Sequence, residues 1–111
     1  MSICVKESLP ELYIIRKNGD HKLLRLLIQT SNKELIFAFS EIFTNLLAGV
    51  FATVLSVELQ SKVNRRKTIL RRIAKKSTSI EERRQLLIRL LGKNLLQDIV
   101  NDILTYLENV R

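Results

Sequence analysis

The chain has 111 residues, 46% of them apolar, which is enough for one domain with its own core. Three Gly and one Pro argue against disorder and against a many-turned β fold, and a single Cys excludes an internal disulfide framework or a cysteine zinc site. The formal charge of +8 points to anionic partners, and it is concentrated: residues 62–93 hold twelve basic and two acidic residues, a local excess of +10.

Residues 1–19 read as an N-terminal arm or short helix. Leu12-Tyr13-Ile14-Ile15 fits a short strand or the first helical turn after Pro10, and Asn18-Gly19 is a turn or helix stop. Glu7 and Glu11 stand where a signal peptide needs a basic and then an apolar region, so no leader is expected there.

Residues 20–111 read as a single helical domain. Asp20 can cap a helix to about Gln29, with Leu23, Leu24, Leu27 and Ile28 on one side. Ser31-Asn32-Lys33-Glu34 has the spacing of a capping box, in which the Ser hydroxyl and Glu carboxylate satisfy orphan amides. A helix should follow from about Asn32 to Ala48, with Gly49 as its stop. Its apolar positions include Leu35, Ile36, Phe39, Ile42, Phe43, Leu46 and Leu47; Phe37 widens the stripe, which predicts the most buried helix of the chain. Val50–Leu55 either continues that helix or makes a bent connection. Glu41, Asn45 and Gly49 interrupt the apolar run of residues 37–55, so it reads as a core helix, not as a membrane span.

Ser56 caps the next helix, predicted to run unbroken to about Lys76. From Lys62 to Lys76, eight of fifteen residues are Lys or Arg and none is acidic. Val63, Leu70, Ile73 and Ala74 nevertheless recur at helical spacing, so the segment reads as a packed helix with a basic outer face. Ser77-Thr78-Ser79 is a break, and Ser79 to Glu82 is a second capping box opening a helix to Leu91 that Gly92 closes. Asn94 and Gln97 make a weaker third box before a last helix to about Val110. These signals predict an all-α fold, a compact bundle of four to five helices. Breaks are expected near Asn18–Asp20, Thr30–Ser31, Gly49–Ser56, Ser77–Ser79 and Gly92–Asn94.

The basic residues form the candidate nucleic-acid surface. Lys62, Arg65, Arg66, Lys67, Arg71, Arg72, Lys75 and Lys76 lie on one helix, and Arg83, Arg84 and Arg89 on the next. Cations displayed this way neutralise phosphates and release counterions, which gives salt-dependent, largely sequence-blind binding. Aromatics do not interleave with them, so stacking on single-stranded bases is not expected. Asp98 and Asp102, four apart on the last helix, read as solvated or salt-bridging. His21 is the only histidine, and Cys4 has no catalytic signature beside it. No nucleophile–base arrangement can be built, and the reading is non-enzymatic with no metal and no cofactor. A small domain rich in Leu, Ile and Phe also predicts self-association as a symmetric dimer. The expected contacts are Leu35, Phe39, Ile42, Phe43, Leu46, Ile99, Ile103 and Leu107.

Several segments follow one another in a distinctive order. Lys33-Glu34-Leu35-Ile36 leads to Asn45-Leu46-Leu47-Ala48-Gly49. Then come Lys62, Arg65, Lys67, Leu70, Arg71, Ile73, Ala74 and Lys75, and last Ser79, Arg83, Arg84, Leu86 and Leu87. In this order, over roughly residues 33–92, the chain resembles small basic proteins encoded in Polinton/Maverick and adintovirus-type elements. The chain departs from that pattern twice. VFATVLS replaces a short proline-containing link, and Gly92-Lys93-Asn94-Leu95-Leu96 with an acidic amphipathic helix replaces a Gly-Gly-Phe-Leu segment and apolar tail. The resemblance implies an origin in a double-stranded DNA virus or virus-derived element and carries no catalytic residues.

Two functions from different classes are therefore expected. The first is a viral or virus-derived protein that binds double-stranded DNA or another polyanion without strong sequence preference, located in the virion or host nucleus. The alternative is a self-associating helical module that docks on a capsid or other protein partner.

Overall fold

A computed structural model describes residues 3–50, 54–92 and 94–109. Among these, eight helices and no strand are found: α1 (Ile3–Glu7), α2 (Leu9–Lys17), α3 (His21–Thr30), α4 (Lys33–Leu47), α5 (Val57–Arg65), α6 (Lys67–Ala74), α7 (Ile80–Leu91) and α8 (Leu95–Asn109). The all-helical class is as read from the sequence, but the count is higher than four to five. The N-terminal stretch contributes two helices, and the expected helix from Ser56 to Lys76 is split at Arg66.

Polar side chains set four of the eight helix starts. The Asp20 carboxylate accepts from the Lys22 and Leu23 amides at 3.0 and 3.4 Å and opens α3. The Ser56 hydroxyl accepts from the Leu59 amide at 3.1 Å, and that of Ser79 from the Glu82 amide at 3.1 Å. Each satisfies one of the orphan donors of a first turn. At α4 the expected cap is displaced by one residue. Asn32 accepts from the Leu35 amide at 3.4 Å, while Ser31 closes the preceding helix by donating to the Ile28 carbonyl at 3.0 Å. Two residues separate α3 from α4, and Ser31 is spent on the first of them.

Gly49 ends α4 in left-handed conformation, φ +82°. Its amide donates to the Leu46 carbonyl at 3.2 Å and the Val50 amide to that of Asn45 at 3.0 Å, the paired bonds of a Schellman cap. At the far end of α7, Gly92 is right-handed, φ −62°; the positive φ belongs to Asn94, at +60°. The alternatives for Val50–Leu55 fall partly on residues 51–53, and Val110 at the expected end of the last helix is likewise outside the described residues.

α4 is the centre of the fold. It packs against α1, α6 and α7. Eight of its fifteen residues are buried, including Leu35, Ile36, Phe39, Ile42, Phe43 and Leu46. A helix that is apolar on most sides has to be covered on most sides. The rings of Phe39 and Phe43, one turn apart, lie 6.0 Å from each other. α8 closes the other side, packing on α2, α5 and α7. The N-terminal segment belongs to this core: Leu12 and Ile15 of α2 are fully buried.

The split at Arg66 has a sequence cause. Leu59, Val63, Leu70 and Ile73 are the buried residues of α5 and α6. The same stripe would demand an apolar residue at position 66 or 67, and Arg66 and Lys67 stand there. The Arg66 amide turns back to the Val63 carbonyl, three residues earlier, at 3.0 Å. The break also gives each half its own partner, α8 for α5 and α4 with α7 for α6.

Candidate nucleic-acid interface

The exposed side of α6 carries Lys67, Arg71 and Lys75 at intervals of four, with Lys75 at the helix C-cap. Residues at this spacing stand above one another on a helix surface, with Cβ atoms about 5–6 Å apart. Leu70 and Ile73 hold the opposite side of α6 in the core, which aims the row outward. Arg65 at the end of α5 and Lys76 beyond α6 are exposed as well, and Arg66 at the break is half-buried. Lys67, Arg71, Lys75, Arg65 and Lys76 are in no ion pair among the described residues. The three ion pairs found there are Arg16–Glu108, Lys62–Asp98 and Arg72–Glu82.

Those pairs remove two of the expected phosphate ligands from the free set. Lys62 lies 3.4 Å from Asp98 of α8, so one of the acidic pair on that helix serves as a salt-bridge partner. Asp102 accepts from the Ser56 amide at 3.5 Å. Arg72 grips Glu82 with two bonds, Nε to Oε2 at 2.8 Å and Nη2 to Oε1 at 3.1 Å. Bonding to Arg72 holds the Glu82 carboxyl below its ordinary pKa, and bonding to Glu82 raises that of Arg72. The Glu82 expected to complete a capping box is thus turned toward α6.

The arginines of α7 are not part of a basic face. Arg83 is 4% exposed. Its Nη2 donates to the carbonyls of Lys75 and Lys76 at 2.8 and 3.0 Å, and its Nη1 to the Ser40 hydroxyl at 3.2 Å. Ser40 lies 2.9 Å from the Ile73 carbonyl, so the pair covers the carbonyl end of α6. Arg84 is half-buried and donates to the Ile28 carbonyl at 2.8 Å and to Ser31 at 3.0 Å, closing the end of α3. Cationic side chains suit both places, because the last carbonyls of a helix are unpaired and carry the negative end of its dipole. Only Arg89 of the three is exposed, and it shares its stripe with Glu81 and Gln85. The basic surface therefore narrows to α5–α6 and the start of the following loop.

The residues expected to pair two copies are also placed otherwise. Leu35, Phe39, Ile42, Phe43, Leu46, Ile99 and Ile103 are buried within the chain, and Leu107 packs against the same core. α4 and α8 have already spent these faces on α1, α2, α5, α6 and α7, so no face made of them is available to a second copy.

Sequence reasoning missed three side chains that position the elements. Gln97 does not cap its own helix. Its amide donates to the Ile15 and Asn18 carbonyls at 3.1 and 2.7 Å, closing α2, and its Oε1 lies 3.2 Å from His21 Nε2. Ser40 is the buried partner of Arg83. Phe37, expected to enter the core, is 38% exposed, with its ring 5.8 Å from the Arg83 guanidinium. A signal for Arg83 was present: Ile80, Arg83, Leu87 and Leu90 follow one apolar stripe, and a charge within a stripe is a buried charge.

Among the described residues no group of His, Cys, Asp and Glu is placed to hold a metal ion, and no helix is long and apolar enough to cross a membrane. No protein-family model, curated protein or solved structure matches the chain.

Proposed function

We propose that the α5–α6 ridge binds double-stranded DNA, or a polyanion of similar charge density, through its phosphates and without strong sequence preference. In this reading the protein is a non-enzymatic accessory of viral or virus-derived origin, packaged with DNA in the virion or acting on it in the host nucleus. The observation that carries the reading is the outward row Lys67–Arg71–Lys75, three cations with no carboxylate paired to them. Eight residues of helical rise make the row about 12 Å long. At one charge per ~1.7 Å, that length of duplex carries roughly seven phosphates, so each cation has one within reach. α5 and α6 contain no aromatic residue, which favours backbone contact over base stacking. The viral origin rests on the resemblance of the ordered segments between residues 33 and 92 to Polinton/Maverick and adintovirus-type proteins.

The test is a gel-shift titration against two duplexes of unrelated sequence across a salt series. Three to four phosphate contacts predict a slope of log affinity against log salt of about −3 to −4. Replacing Lys67, Arg71 and Lys75 together by Gln should weaken both duplexes alike and flatten the slope by about 2.7. Undiminished binding by the triple variant would place the polyanion elsewhere. No binding by the parent at low salt would end the reading.

A further inference from the structure

Arg65-Arg66-Lys67-Thr68 places two arginines and a lysine directly before a hydroxyl. No other Ser or Thr of the chain has arginine at both the third and the second position before it, and no acidic residue stands between Glu58 and Glu81. The structure leaves this hydroxyl free. Thr68 is exposed. Thr30, Thr44 and Thr105 each donate to the carbonyl four residues earlier, at 2.8 Å. Thr68 makes no such bond among the described residues, because the break at Arg66 stands between it and Asn64. The same break makes Thr68 the second residue of α6 and leaves that helix without a side-chain cap at its start. The amides of a first turn have no partner within the helix, so an uncapped first turn opens at low cost. The other hydroxyls near the basic residues are less suited. Ser79 is spent on the Glu82 amide, Thr78 is half-buried, and Ser77 has Ala74 at its third position back.

We infer that Thr68 is a phosphorylation site, the acceptor for a protein kinase whose substrate groove is acidic, and that its phosphate switches the ridge off. The planar fork of arginine pairs with carboxylates two bonds at a time, which is how such a groove reads it. In the transfer, Thr68 Oγ1 forms a bond to the γ-phosphorus of ATP. The bond from that phosphorus to the β,γ-bridging oxygen breaks, and ADP leaves with the electron pair. The hydroxyl proton passes to the catalytic aspartate of the kinase. The product carries a charge of about −1.5 to −2 at pH 7. Arg71 and Arg72 stand three and four residues further on, beside Thr68 on the helix surface, and Lys67 adjoins it in the chain. Cations of the row then face an anion of their own chain and not the phosphates of a duplex. The new charge lies at the positive end of α6, so the helix tolerates it. The switch rests on the duplex-binding reading of the ridge; the acceptor site does not.

The test uses the full chain, Mg-ATP and a protein kinase selective for arginine at the third and second positions before its acceptor. The intact mass should rise by one phosphate, and fragment masses should place it on Thr68 and not on Ser77, Thr78 or Ser79. Thr68→Val fills the same exposed position; it should abolish incorporation and leave duplex binding as it was. Arg65→Gln should slow incorporation about tenfold, the worth of one hydrogen bond to a charged group. In the gel shift across salt, the phosphorylated chain should show a slope flatter by about 1.8, the offset of two cations. With the two lines meeting near molar salt, that is a roughly thirtyfold loss of affinity at physiological salt. A phosphatase should restore the parent's slope. Three results overturn the inference: no incorporation into the folded chain, incorporation at another hydroxyl, or unchanged duplex affinity with Thr68 phosphorylated. A parent that binds no duplex ends the ridge reading and the switch with it, while incorporation, read by mass alone, still decides the acceptor site.

Discussion

Arg83 donates to Ser40 across 3.2 Å, joining α7 to α4 over 43 residues of chain. Through this bond a residue of the central helix holds the cation that closes the end of α6. Ser40→Ala takes one partner from the guanidinium and one from the Ile73 carbonyl, with an expected loss of about 1–3 kcal/mol. Arg83→Met strips the Lys75 and Lys76 carbonyls as well and should cost about 3 kcal/mol or more. Urea unfolding read by circular dichroism checks both. A neutral Arg83→Met would mean that solvent caps α6 equally well.

Arg72 and Glu82 predict a pH effect whose sign is fixed. The Glu82 carboxyl is held below its ordinary value, so the folded chain keeps it ionised to lower pH than the unfolded chain does. The pair's contribution is complete above the unfolded value and disappears as the pH falls through the lowered one. Glu82→Gln should therefore remove part of the acid limb in a plot of urea midpoint against pH. It also releases Arg72 beside the ridge, which should steepen the salt slope of duplex binding by about 0.9. An unchanged slope would show that Arg72 does not face the duplex.

Gln97→Ala should act on a helix other than its own. The Ile15 and Asn18 carbonyls each lose a donor, for an expected cost of about 1–3 kcal/mol. Hydrogen exchange should quicken in α2 more than in α8. The reverse order would mean that Gln97 serves α8 itself.

Gly49 and Gly92 separate conformation from space. Among the described residues nothing lies within 4 Å of a Cβ added at Gly49, so the expected cost of Gly49→Ala is that of its left-handed backbone, about 1–2 kcal/mol. At Gly92 the backbone is right-handed and the nearest atom, the Arg89 carbonyl oxygen, is 3.5 Å from the added Cβ. Gly92→Ala should be neutral or stabilise by up to about 1 kcal/mol, through a less flexible unfolded chain. Thermal midpoints of the two variants rank them directly.

What was legible in the sequence was local. Asp20, Ser56 and Ser79 cap as their spacing indicates, because a side chain reaching its own third amide needs nothing from the rest of the fold. The expected breaks near Asn18–Asp20, Thr30–Ser31 and Ser77–Ser79 fall at helix boundaries, whereas those at Gly49–Ser56 and Gly92–Asn94 lie partly outside the described residues. Tertiary demands defeated the rest. Arg66 and Arg83 both sit where an apolar stripe required a hydrophobe, and the structure resolves the conflict differently: a helix break for one, burial against backbone carbonyls for the other. Gln97 has the spacing of a capping box, yet its Oε1, the atom that would accept from the Asn94 amide, lies against His21 Nε2, while its amide nitrogen donates to the Ile15 and Asn18 carbonyls. Of the proposed site, the α6 row could be read from its period, whereas the withdrawal of Lys62, Arg72, Arg83 and Arg84 depends on partners 7 to 56 residues away.

α2 packs on α8, and Arg16 pairs with Glu108, 92 residues further along. In a growing chain Leu12 and Ile15 emerge well before their partner helix, which lies about 90 residues further along. At about 5–20 residues per second, the apolar side of α2 stays uncovered for roughly 5–20 s on the ribosome. That interval is where a chaperone would act, and a nascent chain halted before α8 would present α2 as an adhesive surface.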